Sequence, residues 1–302
     1  MYKEITSNKI RSAVLIGAFL VLVIALGWVF SIALDSEIIL PIAVFFSIIQ
    51  AFTSYYYSDK IALGISRARE VPRRGDYLTL HREIENLCIT AGLPKPKVYV
   101  INDPAPNAFA TGRDPEHAAI AVTTGLLKEL NKTELEGVLA HELSHIGNYD
   151  IRVMTIVVVL VGVVSLLADF FLRSLWWGGN RRSRDNNGGN QYMLLVAIVA
   201  AILAPIAATI IQLAVSRKRE YLADATGSLL TRYPEGLARA LEKISKTPHT
   251  LKHRSSATNH LYIENPLTEK EEKQSWFVTI FSTHPPVADR IKKLRAMIGT
   301  IK

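Results

Sequence analysis

The chain has 302 residues, 49% of them hydrophobic, and a formal net charge of +8 at pH 7. Its mean hydropathy is +0.19, which is high for a soluble enzyme. The single cysteine, Cys88, excludes an intramolecular disulfide and fits a reducing compartment. The basic residues flank apolar segments and form no patch interleaved with aromatic residues, so we expect no nucleic-acid partner.

Four apolar segments account for the positive hydropathy, and each reaches the ~20 residues that a helix needs to cross a bilayer. They cover about residues 12–34, 38–57, 153–172 and 192–215. The first exceeds the ~7–15-residue apolar core of a signal peptide, so we interpret it as a retained anchor. For the last two, buried core helices of a globular domain remain an alternative, because Asp169, Pro205 and Gln212 interrupt them.

Lysine and arginine predict the orientation of these spans, because they favour the cytoplasmic side. Basic residues precede the first segment and follow the second and fourth, whereas Asp35 and Glu37 lie in the first turn. The prediction is a multi-pass protein of the cell (inner or plasma) membrane, in contact with the lipid bilayer, with its catalytic part in the cytoplasm. The glycine-rich loop 173–191 is also basic and would face outward. Either the first hairpin sets the topology, which we favour, or the second does not span fully.

The spans divide the chain into an N-terminal hairpin (1–58), the first part of a cytoplasmic domain (59–152), a second hairpin (153–215) and the rest of the domain (216–302). Several shorter elements are predicted within the domain. They are a helix over 77–91 capped by Asp76 and stopped by Gly92, strands at 97–101, 107–110 and 118–122, a helix over 234–245 and another from about Pro286.

The segment His141-Glu142-Leu143-Ser144-His145 has the form H-E-x-x-H. Residues four apart lie on one face of a helix, so both imidazoles can reach one metal ion, and Glu142 can serve as general base towards a water. A capping box of Thr133 with Glu136 predicts the start of this helix. The alternative is two ordinary histidines on a solvated helix face.

A third metal ligand is predicted in the segment Arg217 to Asp224. Glu220 and Asp224 are four residues apart and share a helix face. Glu220 could bind the metal, and Asp224 could accept a hydrogen bond from a ligand histidine and fix its tautomer. The alternative is a surface carboxylate pair that is ion-paired to the neighbouring arginines.

Three motifs, H-E-L-S-H-I-G-N-Y-D, R-K-R-E-Y-L-A-D and S-T-H-P-P, occur in this order around the apolar segments. The chain thereby resembles the HtpX family of membrane-bound zinc endopeptidases, which are gluzincins related to the CAAX prenyl proteases. The resemblance implies one Zn²⁺ per subunit, held by His141, His145 and Glu220, with Glu142 as the base. It also implies cleavage of misfolded or damaged membrane proteins at the cytoplasmic face. No oligomeric state is predicted.

The fold class that follows is an α+β membrane protein. It combines a zincin-like (gluzincin) catalytic domain, with a small β-sheet and the H-E-x-x-H helix, and about four transmembrane helices. The resemblance places a substrate-binding edge strand at Asn107, Ala108, Phe109 and Ala110, where main-chain hydrogen bonds would accept many sequences. An ordinary exposed strand is the alternative.

A second electrophile would help to stabilise the oxyanion of an amide hydrolysis. His284, Arg290 and His260 are the candidates, the first two favoured by the S-T-H-P-P segment. Two alternatives are equally favoured: His284 simply begins a helix, and Arg290 serves only in a structural ion pair. The other histidines are interpreted as solvated surface residues: His81, His117, His249 and His253.

Three rival functions differ from this prediction. In a site-2-type intramembrane protease the H-E-x-x-H motif lies inside an apolar span, whereas here charged residues begin its helix. A CAAX prenyl protease has a similar core but more spans. A catalytically inactive membrane adaptor on a zincin scaffold would need no base, yet the base and all three candidate ligands are present.

Overall fold

The computed structural model of the chain describes residues 2–33, 36–178, 198–199, 217–247, 258, 261–263 and 285–298. It begins with a helical hairpin of α1 (Tyr2–Ala33) and α2 (Ile39–Tyr56). Within the described residues, two helices are long and apolar enough to cross a membrane, Glu4–Ile32 and Ile39–Tyr56. They correspond to the first two predicted spans.

The third predicted span falls within α7 (Asp150–Gly178), which follows α6 (Lys132–Gly147) at a bend of 83°. Helices α6 and α7 would form a third candidate span only if the bent pair crosses the bilayer as one broken helix. The first half of α7 is buried inside the protein, where it packs against α1, α3 (Ser58–Ile65) and β3 (Ala108–Gly112). The fourth predicted span and the loop 173–191 lie mostly outside the described residues.

A four-stranded mixed sheet forms the centre of the catalytic part. Its strands are β1 (Arg69–Glu70), β2 (Lys97–Ile101), β3 (Ala108–Gly112) and β4 (Ala118–Thr123), in the order β1-β2-β4-β3. Strands β2 and β4 are parallel, and the other two pairs are antiparallel. The three predicted strands are therefore confirmed within two residues, and β3 lies at one edge.

Residues that alternate along the strands divide the protein into two cores. Val98 and Ile120 face a core that contains α4 and α6, whereas Phe109 and Ala119 face a core that contains α1 and α7. The sheet thus lies between the core that contains the H-E-x-x-H helix and the core that contains Leu15, Phe19 and Val23 of α1. The remaining helices are α3 (Ser58–Ile65), α4 (Leu78–Ala91), α5 (Thr124–Glu129), α8 (Arg217–Thr231), α9 (Pro234–Lys246) and α10 (Val287–Ala296).

Two predicted helix caps are wrong. Asp76 lies in a short 3-10 turn, and the N-cap position of α4 (Leu78–Ala91) is Tyr77, whose side chain makes no capping hydrogen bond. The capping box of α6 is formed by Asn131 and Glu134, two residues before the predicted pair. The predicted stop at Gly92 is confirmed, because this residue adopts the left-handed conformation with φ of 64°.

One of the four histidines assigned to the surface is also wrong. His81 is 7% exposed, and its Nε2 lies 3.1 Å from the carbonyl oxygen of Val71. His117 agrees with the prediction, since its side chain is 48% exposed and contacts Asp114. His249 and His253 lie outside the described residues.

Candidate metal centre

Three buried side chains from two helices converge on one point. His141 and His145 lie one turn apart on α6, and their Nε2 atoms are 3.2 Å from each other. Glu220, on α8, places its carboxylate oxygens 3.8 Å from Nε2 of His141 and 3.5 Å from Nε2 of His145. The three ligand atoms lie within 4.8 Å of one another, so the arrangement can hold a cation.

The second nitrogen of His141 has a carboxylate neighbour. Oδ1 of Asp224 lies 2.9 Å from Nδ1 of His141. Burial raises the pKa of Asp224, but the charge of Arg290 and hydrogen bonds from His141 and Arg290 lower it more, to about 2. An ionised Asp224 at this distance is compatible with the predicted role, in which it would orient the imidazole and leave Nε2 for a cation.

His145 has an equivalent partner that the sequence did not reveal. Oδ2 of Asp150, at the start of α7, lies 3.0 Å from Nδ1 of His145. Asp150 is itself held by Asn8 on α1, whose amide donates to Oδ1 at 2.8 Å, and it lies 3.7 Å from Arg219. Asp150 follows His145 by five residues across a bend, so no helical periodicity relates them.

We expect Asp150→Asn to weaken metal binding by about 10–100-fold, the cost typical of losing an outer partner of a ligand histidine. The shape of the side chain is kept, but the charge that favours the imidazole orientation is removed. Competition with a metal-binding dye measures the affinity. The control is Asp76→Asn, an exposed carboxylate; equal affinities for both variants would exclude the positioning role of Asp150.

The protonation of the cluster follows from burial and nearby charge. Burial lowers the pKa of His145, but the hydrogen bond to Asp150 and the charges of Glu220, Asp150 and Glu142 raise it more, to about 9. A proton and a cation therefore compete for this imidazole.

Glu142 lies beside the cluster and is 2% exposed. Burial raises its pKa, and the charge of Glu220 acts in the same direction. The charges of His141 and His145 and a backbone hydrogen bond from Ala110 on β3 oppose the rise. A carboxylate with a raised pKa next to a cation site is suited to accept and return a proton.

Close packing of α6 on α8 depends on glycine. A Cβ atom on Gly227 of α8 would lie 2.9 Å from the backbone nitrogen of His141. One turn earlier along α6, a Cβ atom on Gly137 would lie 2.6 Å from the backbone nitrogen of Leu237 in α9. Only residues without a side chain allow these approaches, and the one at Gly227 keeps Glu220 of α8 within reach of the histidines.

We expect Gly227→Ala to lower the free energy of unfolding by about 1–3 kcal/mol, as for other overpacked sites, and to reduce metal affinity. The added methyl group meets backbone atoms, so α8 must move away from α6. Thermal unfolding and metal titration measure the two effects. Gly64→Ala in α3 is the control, because a Cβ atom there meets nothing within 4 Å; the same loss in both variants would contradict this account.

These residues fit a divalent cation. The donors are two imidazoles and one carboxylate, the set found in catalytic zinc sites of the His₂Glu type. Each imidazole has a carboxylate at its other nitrogen, at 2.9 and 3.0 Å. That pattern is typical of metal-ligating histidines and is unnecessary for a histidine that only packs in a core.

The profile of peptidase family M48 matches residues 76–298, which include α4 to α10 and the whole cluster. The chain belongs to peptidase family M48. Its relatives agree over nearly the full length. "Protease HtpX homolog" of Tropheryma whipplei (strain Twist) is 45% identical over 300 residues and covers 98% of each chain. "Protease HtpX homolog" of Streptococcus uberis is 42% identical over 304 residues, covering 98% of this chain and 100% of the relative.

The crystal structure of S. mikatae Ste24p is a distant likeness, which matches 97% of this chain and 67% of its own chain at 20% identity and a TM-score of 0.49. The M48 family and the HtpX relatives confirm the predicted family and make the chain a metallopeptidase. Its candidate spans make it a membrane protein.

The predicted substrate strand of this M48 chain is the edge strand β3. Asn107 accepts a hydrogen bond from Thr123 of β4. Because hydrogen bonding alternates along an antiparallel pair, the main-chain N–H and C=O groups of Ala108 and Ala110 point away from β4, towards the open edge of the sheet. There the carbonyl of Ala108 accepts a hydrogen bond from Ile263 at 3.0 Å, while Ala110 bonds to Glu142. A peptide that extends along β3 would have to replace the bond from Ile263.

Of the three candidate oxyanion stabilisers, only Arg290 is described; His260 and His284 lie outside the described residues. Arg290 is fully buried and donates to both oxygens of Asp224, at 2.9 and 2.7 Å. It also donates to the carbonyl of Ile263 at 3.0 Å. This geometry supports the ion-pair role for Arg290.

Proposed function

We propose that the chain is a zinc-dependent endopeptidase of the cytoplasmic membrane face that hydrolyses peptide bonds of misfolded or damaged membrane proteins. The observation that carries the proposal is the convergence of His141, His145 and Glu220 beside Glu142 in an M48 chain. A small mixed sheet with an edge strand next to this helix also supports the zincin-like fold class.

His141, His145 and Glu220 would hold the cation, while Asp224 and Asp150 orient the two imidazoles. When bound, Zn²⁺ would supply Lewis acidity towards a water and the scissile carbonyl. Glu142 accepts a proton from the attacking water and passes it to the nitrogen of the leaving amine, so one carboxyl group serves as base and then as acid. The raised pKa of Glu142 suits the second step.

The position of the cluster supports a substrate that emerges from the membrane. Asn8, in the second turn of α1, donates to Asp150 and to the carbonyl of Asn148. The cluster therefore lies beside the N-terminal end of the first candidate span. Basic residues on this side favour the cytoplasm. Recognition along β3 through main-chain groups would accept damaged proteins of unrelated sequence.

The test uses the full-length protein in liposomes with a labelled membrane protein as substrate. We expect a chelator to abolish cleavage and Zn²⁺ to restore it. Alkylation is the control, because Cys88 is 3% exposed and burial raises the pKa of its thiol to about 11, so a thiol reagent should leave the folded enzyme active. Chelator-resistant cleavage would contradict the metal dependence. Cleavage of soluble unfolded chains alone would contradict the membrane substrate class.

A further inference from the structure

A cavity of about 540 Å³ opens at the end of α2. Three aromatic side chains line it, Phe52 and Tyr56 from the last turns of the second candidate span and Tyr57, the residue after that span. Lys97 of β2 and Arg113, which follows β3, also line it. The size is within the range of sites for small molecules and headgroups, ~300–1,000 Å³.

The cavity is separate from the metal cluster. Among its lining residues are Tyr99 and Ala119, which belong to the face of the sheet that packs against α1 and α7. His141 and His145 lie on α6, across the sheet, in the core that contains Val98 and Ile120. A ligand in this cavity therefore does not contact the catalytic residues, and its binding is independent of the proposed peptidase function.

The charge of the lining is positive. Four side chains are cationic, Lys60, Lys95, Lys97 and Arg113, against the two carboxylates of Asp59 and Glu116. Lys95 and Arg113 also lie 3.7 and 3.5 Å from carboxylates of neighbouring residues. Lys60 and Lys97 are exposed, so they can turn towards an anion in the cavity.

Aromatic rings hold two of these cations at the end of the span. The guanidinium of Arg113 lies over the ring of Tyr56, at 5.5 Å, and Nζ of Lys60 lies over the ring of Tyr57, at 5.1 Å. Tyrosine is enriched where a span leaves the hydrocarbon, at the depth of the lipid headgroups. Cations on these rings at the end of the second candidate span are thereby placed at the level of lipid phosphates.

We propose that this cavity binds the phosphate headgroup of an anionic phospholipid from the leaflet that faces the catalytic part. The aromatic residues contact the glycerol and upper acyl region, and Lys60, Lys97 and Arg113 neutralise the phosphate. A zwitterionic lipid brings a choline cation to the same basic wall and is disfavoured. The cytoplasmic side of membranes carries such anionic lipids, which attract juxtamembrane lysine and arginine.

The test compares the full-length protein with the double variant Lys60→Gln/Lys97→Gln. Affinity is measured in detergent with a fluorescent phosphatidylglycerol and, separately, with a fluorescent phosphatidylcholine. Removal of two headgroup cations should weaken phosphatidylglycerol binding about 30-fold. The matched control is Lys128→Gln/Lys292→Gln, which removes the same charge from exposed positions elsewhere. Chelator-sensitive peptidase activity and the thermal midpoint show that each variant is folded.

The expected result is weaker phosphatidylglycerol binding in the first variant only, with little binding of phosphatidylcholine by any protein. Equal affinity in the two double variants would overturn the site. Equal binding of both lipids would overturn its preference for an anionic headgroup. Displacement of the fluorescent lipid by inorganic phosphate as readily as by unlabelled short-chain phosphatidylglycerol would assign the cavity to free phosphate and overturn the lipid assignment.

Discussion

Glu142→Gln is expected to abolish proteolysis while the fold and the bound metal remain. Loss of a general acid–base group typically costs ~10²–10⁴ in rate. The amide has the shape of the carboxyl group, and its oxygen can still accept the backbone hydrogen bond from Ala110. It cannot take up a proton from water, so the attack and the departure of the amine both lose their proton carrier.

The measurement is the single-turnover cleavage rate of a membrane substrate, together with metal analysis of the purified variant. Glu129→Gln is the control, since this exposed carboxylate lies at the end of α5, outside the cluster. A variant that cleaves at the wild-type rate would exclude Glu142 as the general base. Loss of the metal along with activity would instead make Glu142 part of the cation site.

Glu220→Ala is expected to differ from Glu142→Gln, because its primary effect should be the loss of the bound metal. Removing an outer partner of a ligand histidine already costs 10–100-fold in affinity, so a direct ligand should cost at least ~100-fold. Metal binding stabilises the folded state, by about 2.7 kcal/mol when the free metal is at 100 times its dissociation constant. The variant should therefore lose the Zn²⁺-dependent rise of the thermal midpoint as well.

Elemental analysis measures the metal content, and thermal unfolding with and without Zn²⁺ measures the stabilisation. Glu129→Gln is again the control variant. Unchanged metal content would remove Glu220 from the ligand set. The two variants together separate the roles, because Glu142→Gln should keep the metal without activity, whereas Glu220→Ala should lose both.

Local sequence patterns are sufficient to predict the helices that carry the candidate metal ligands and most of the sheet beside them. The four-residue spacing of His141 and His145 predicts one helix face, and the same spacing in Glu220 and Asp224 predicts another. The lengths of the first two apolar segments predict α1 and α2, and short β-prone segments predict three strands of the sheet. These features depend on residues close in sequence, so local patterns alone reveal them.

Where two local patterns overlapped, only the fold could choose between them. Thr133 with Glu136 and Asn131 with Glu134 both have capping-box spacing. Lys243, from α9, lies 2.8 Å from Glu134 and helps to hold this side chain at the start of α6, so the second pair forms the cap. His81 is a similar case, since its contact with the carbonyl oxygen of Val71, ten residues earlier, buries it and no local pattern indicates that contact.

The sequence by itself determined the membrane hairpin, the H-E-x-x-H helix and the types of ligand, because spacing and hydropathy are local properties. Only the tertiary structure decided that Asp150 and Asn8 support His145, that Gly227 brings α8 against α6, and that a basic cavity lies at the end of α2. These contacts join residues up to 142 positions apart, and no period along the chain encodes which distant side chains meet.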